Sequence, residues 1–142
     1  MANIVPDSFK TDLLKGTFNF DSSGGSTFNL ALYTSSASFS TATSSYSATN
    51  EVSGTGYAAG GQALTNNGVA ISSNIAYVDF ADETWTSATI TARYGLIYKS
   101  SASNEAVLVL DFGGDKTSTN GDFTVAFPAA SDSAAIIRLG DA

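Results

Sequence analysis

The chain has 142 residues, a length that suits one domain able to bury a core without staples. It contains no cysteine and no histidine, which excludes disulfides, zinc sites built on Cys or His, a Cys nucleophile and a Ser-His-Asp triad. Its net charge is −7 with only six Lys and Arg, too few for the basic face that nucleic acid or an anionic membrane demands.

Only 13% of residues are charged, against ~25% in an average domain, and Ser, Thr and Gly fill the difference. Hydrophobic residues reach 43% and are periodically placed, so the composition reads as a folded domain with a polar, sparsely charged surface. The first residues hold no apolar signal-peptide core, and no stretch approaches the ~20 apolar residues of a membrane span.

The chain opens with a short helix. Pro6 stops it extending backward, Asp7 or Ser8 can cap it, and Gly16 supplies its stop. Phe9 and Leu13 share one face, with Leu14 beside them. So short a helix is marginal alone and must dock by Phe9 and Leu13, on its own domain or on a neighbour.

After Gly16 the period changes to two. Phe18 and Phe20 alternate with polar residues, then residues 21–25 form a turn. Phe28, Leu30 and Leu32 mark a half-buried strand ending at Tyr33. The segment from Thr34 to Thr49 is almost all Ser, Thr and Ala and reads as a long loop or a mobile arm. A strand returns over residues 57–64, and Asn66-Asn67-Gly68 is a hairpin-turn signal. Strands follow at 69–72 and 75–80.

Residues 89–99 give the clearest alternation, with Ile90, Ala92, Tyr94, Leu96 and Tyr98 on one face. Residues 106–112 are apolar on both faces, as in a central strand. A turn region is expected at 113–121, a strand through Phe123, Val125 and Phe127, and a last strand over 134–139. About eight or nine strands between turn clusters imply an all-β fold, an antiparallel β-sandwich or jelly-roll-like barrel with one short N-terminal helix. The division expected is an N-terminal arm and helix over 1–16 and a β-sandwich domain over 17–142.

Candidate chemistry is thin. Gly54, Gly56, Gly60 and Gly61 resemble a phosphate loop, but no Gly-Lys-Ser/Thr ending or following helix appears, so a turn or bulge role is expected. Carboxylates cluster at Asp79, Asp82 and Glu83, and at Asp111, Asp115 and Asp122, where strands end. Two carboxylates across a cleft can hydrolyse a glycoside, and oxygen-rich loops can bind calcium, but Asp also organises turns at such places. Trp85 can stack on a sugar or sit in the core, and the core is expected. The reading is of a structural or binding domain, not an enzyme, with no catalytic residue and no cofactor.

Several stretches carry a likeness in the same order along nearly the whole chain. They are Ser8-Phe9-Lys10 with Leu13-Leu14-Lys15-Gly16, Phe28-Asn29-Leu30-Ala31-Leu32-Tyr33, Asn50-Glu51-Val52-Ser53-Gly54 with Gly60-Gly61, Val78-Asp79-Phe80 with Thr84-Trp85, Gly95-Leu96-Ile97-Tyr98, and Val109-Leu110-Asp111-Phe112-Gly113. Together they resemble a family of small virion structural proteins of tailed bacteriophages and prophages. The resemblance implies a particle component, made in the host bacterial cytoplasm and located in the virion.

A capsid decoration (cement) protein that binds and stabilises the head lattice is the expectation. Its partner would be the major capsid protein or other virion proteins, with neither nucleic acid nor membrane. It would be a homotrimer, since such parts are usually symmetric oligomers. Val5, Phe9, Leu13 and Leu14 are the candidate contacts to the capsid or another partner. The competing expectation is a tail, baseplate or fibre-associated module that recognises host-surface carbohydrate or protein.

Overall fold

The computed structural model describes residues 2–141. The element order is α1 (Asp7–Leu14), β1 (Phe28–Tyr33), β2 (Gln62–Ala63), β3 (Asn66–Ser72), β4 (Ile75–Phe80), β5 (Glu83–Lys99), β6 (Ala106–Val125) and β7 (Ile137–Leu139). The strands form two antiparallel sheets, ordered β2-β1-β5-β6 and β3-β4-β7. This is an open all-β sandwich with one short helix, and it does not close into a barrel. Among the described residues no helix is long and apolar enough to cross a membrane.

The main core lies between the sheets. Leu30 and Leu32 of β1, Val78 and Phe80 of β4, Trp85, Ile90 and Ile97 of β5, and Val107 and Phe123 of β6 meet there. The first sheet is also covered on its other face. Ala31, Tyr33, Leu96, Tyr98 and Val109 form a second cluster, packed by Ile4, Phe39 and Tyr46. That is why β1 is buried on both sides, although its alternation suggested a half-exposed strand.

The cover is the segment from Thr34 to Thr49. It has almost no regular structure, but it is held in place along its length rather than free to reach out. Ser45 bridges to Glu105, Phe39 packs edge-on against Tyr33 at 5.0 Å, and Tyr46 stacks on Tyr98 at 4.7 Å. One carboxylate completes the hold. Oε1 of Glu51 accepts the Tyr57 hydroxyl at 2.6 Å and the Gly60 amide at 2.7 Å, while Oε2 accepts the Tyr46 hydroxyl at 2.7 Å. Burial, followed by the effect of Glu51, pushes the Tyr33, Tyr46 and Tyr57 phenols upward, so they remain donors.

Several local expectations need correction. Pro6, not Asp7 or Ser8, occupies the N-cap of α1, and the Asp7 amide donates instead to the Thr41 carbonyl at 2.8 Å. Phe18 and Phe20 are buried but belong to no strand, because their rings are fixed by other rings rather than by a ladder. The strand expected over 57–64 shrinks to β2, and that expected over 134–139 shrinks to β7. Asn66-Asn67-Gly68 is no turn. Gly68 (φ +87) forms a bulge inside β3, where the register slips by one residue, and the turn is made by Ser73 and Asn74 with φ +50 and +65.

The even-numbered face expected on β5 is split in the same way. Trp85, Ala88, Ile90 and Ala92 meet the main core, but Leu96 and Tyr98 meet the second cluster. The parity changes coincide with register slips between Trp85 and Ala88 and between Ala92 and Tyr94. At the second slip Arg93 alone opposes residues 112–115 of β6. The turn expected at 113–121 is therefore a wide bulge followed by continuous strand.

The glycine-rich stretch brings the chain onto β1. Gly61 has φ +74, and a Cβ there would overlap the Leu30 carbonyl oxygen. Gly61→Ala is expected to cost at least about 2 kcal/mol in urea unfolding, because both the backbone angle and the close approach forbid a side chain. Gly114→Ala, where a Cβ meets nothing, should stay within about 0.5 kcal/mol of the parent.

Candidate interaction surface

The four candidate contact residues lie together but in different roles. Phe9 is 4% exposed and packs its ring on Phe18 at 5.0 Å, so it belongs to the core of its own domain. Leu13 packs half-buried against the same cluster. Leu14 is 87% exposed, and Val5 is exposed on the segment leading into α1. All four line one groove of about 920 Å³ between α1 and β7, with Val107 and Leu108 at its floor and Ile137 and Leu139 along its far side.

The groove's charge is balanced, unlike that of the whole chain. Lys10 and Arg138 line it, as do Asp132 and Asp141. Lys10 pairs with Asp7 at 2.8 Å, which holds the Asp7 carboxyl below its ordinary value. Hydroxyls of Ser73 and Ser72 hold Asp132 low as well, tying the turn before β7 to the β3–β4 hairpin. Leu139 and Arg138 were invisible as site residues in sequence, since nothing local says that the last strand folds back beside α1.

A second groove, of about 600 Å³, runs along β6 and the segment after it. Phe112, Phe123 and Phe127 give it an aromatic wall, and Asn3, Lys116 and Asp122 add polar groups. It takes in two of the second carboxylate cluster. Asp111 accepts the Arg93 guanidinium at 3.0 Å and the Gly113 amide at 2.9 Å. The Gly113 amide, with Arg93 behind it, lowers its pKa to about 2.

The carboxylates of the first cluster have separate partners. Asp79 is buried in β4 with its Oδ1 accepting the Phe80 amide, and burial raises its pKa. Asp82 accepts the Phe127 amide at 2.8 Å, and burial also raises Glu83. Among the described residues no three Asp or Glu side chains converge as a metal site. Trp85 is fully buried, 5.9 Å from Tyr57 and 6.3 Å from Phe123, which settles its place as core.

The Asp111 clamp makes a pH prediction. Its folded pKa of about 2 lies below the ~3.9 of an unfolded Asp, so its stabilisation is present above pH ~4 and lost as pH falls through about 2. In urea unfolding, the stability gap between the parent and Asp111→Asn should be widest above pH ~4 and close towards pH ~2. A gap that stays constant across this range would contradict the assignment.

Comparison with protein-family models, with curated proteins and with solved structures finds no match for this chain.

Proposed function

We propose that this protein is a structural component of a bacteriophage particle, a decoration protein that seats on the capsid lattice and stabilises the head. The ordered likeness to phage structural proteins supports the class. The observation that carries the seating is the α1–β7 groove, where Val5, Leu14 and Leu139 are exposed on elements anchored to a rigid core. Apolar anchors on a fixed frame bind without the cost of ordering a loop.

In this reading the partner is the major capsid protein or a neighbouring virion protein. The low surface charge keeps the desolvation cost of many repeated contacts small. The acidic balance keeps the protein off packaged DNA.

A second reading, host-surface recognition by a tail or fibre component, is favoured by one observation, the aromatic groove beside β6. Phe112 and Phe127 line it and could pack on a sugar ring, with Asp122 and Lys116 beside them for its hydroxyls.

Purified protein mixed with heads lacking it separates the two. The parent should sediment with tailless heads, and Val5→Asp with Leu14→Asp should weaken binding at least tenfold with the melting temperature unchanged. Removing residues 1–16 is a poor substitute, because it strips Phe9 from the core. Protein left in the supernatant, protein that follows tails instead, or a variant that binds heads as tightly as the parent would overturn the decoration reading.

A further inference from the structure

An acidic protein with two open sheets has four sheet edges to manage, and unpaired edges are templates for another strand. Three of them are blunted. β2 is two residues long. The outer edge of β6 is paired at Val109 by Ile4, whose two bonds with it are both 2.9 Å, and beyond that it carries Asp115, Lys116 and a wide bulge. β7 is three residues long with Arg138 at its centre, beside α1.

The fourth edge, β3, has none of these protections beyond Gly68. The chain from Asn66 to Val78 carries no charged residue and no proline, although the whole protein is at −7. Val69 is 56% exposed and Ile71 is 74% exposed. By register, Val69 pairs with Val78 and Ile71 with Ala76, in line with Ile137 and Leu139 of β7. The apolar inner face of this sheet therefore runs past the core to the open edge.

The backbone alternation matches. The two-residue turn at Ser73 and Asn74 makes Ser72 and Ile75 a hydrogen-bonded pair, so Ala70 also bonds inward to β4. The amides and carbonyls of Val69 and Ile71 then point outward.

We propose that β3 is an edge through which two copies of this chain pair, antiparallel, across a two-fold axis at Ala70. That register sets Val69 opposite Ile71 of the partner subunit, and the reverse. Both pairs exchange their outward N–H and C=O groups, and their side chains meet on one face. The strand is thus its own complement, as a two-fold interface requires. Absence of charge matters for the choice of occupant. Two chains at −7 repel wherever acidic surfaces meet; the strand itself adds no charge, and a carboxylate, Asp132, lies at its end on the Ser72 and Ser73 hydroxyls. The joined sheet has six strands. The arrangement differs from the threefold one expected of a phage decoration part, and it stands independently of that reading.

Analytical ultracentrifugation of the full chain over a wide concentration range tests it. The parent should reach the mass of two chains, with amide exchange at Val69 and Ile71 slowing as the dimer forms. Ile71→Lys adds a charge to the edge, and Ile71→Pro removes an outward N–H and the apolar side chain while breaking no bond to β4; each should raise the dissociation constant at least tenfold. Val69→Lys serves the same purpose should either variant fail to fold. A parent that stays a single chain, a trimer, or a dimer that persists in these variants would overturn the proposal.

Discussion

A run of phenylalanine rings joins the helix to both sheets and to the C-terminal segment. Phe9 of α1 packs on Phe18 at 5.0 Å, Phe18 lies 6.1 Å from Phe20, and Phe20 stacks on Phe28 of β1 at 4.7 Å. Phe28 meets Phe80 of β4 edge-on at 5.7 Å, and Phe80 meets Phe127 at 5.8 Å. The run thus passes from the helix through an irregular connector to the first sheet, then to the second sheet and the C-terminal segment. Each ring buries a large area, and offset or edge contacts add about 0.5–1.5 kcal/mol beyond it. The groove beside α1 exists because Phe9 is fixed at one end of this run.

The same economy of charge shapes the surface. With few ionic groups available, buried polar tasks fall to single carboxylates. Glu51 receives two phenols and an amide, and so pins the cover over the second face of β1. Asp111 receives a guanidinium and an amide, and so fixes the wide bulge in β6. Edges too are managed mostly by shortness, covering and bulging. Where those devices stop, at Val69 to Ser72, the sheet stays open.

Strong periodicity was legible in the residues. β1, β4 and the far half of β5 lie where alternation places them, and the helix ends at Gly16 as expected. What failed did so through bulges and rings. A bulge reverses the parity of a strand, so a clean alternation from Ile90 to Tyr98 concealed two different clusters. Gly68 carries the signature of a turn, but a left-handed glycine serves a bulge equally well. Phe18 and Phe20 alternate like a strand but join no ladder; their rings pack on other rings, Lys99 lies over Phe18, and the Phe20 carbonyl accepts the Asn66 amide. Of the candidate site, Val5 and Leu14 were readable as candidate contacts in and before a short helix, and their exposure came from the structure. That Phe9 turns inward, and that β7 forms the opposite wall, depends on long-range packing that local pattern does not encode.

We propose that the protein sits on the head of a phage particle by way of its α1–β7 surface. Cryo-electron microscopy of the intact particle tests this most directly. Density for the two-sheet body on the outer capsid lattice, with Val5, Leu14 and Leu139 against the shell, is the predicted result. Density confined to the tail, or a body seated by another face, would contradict it.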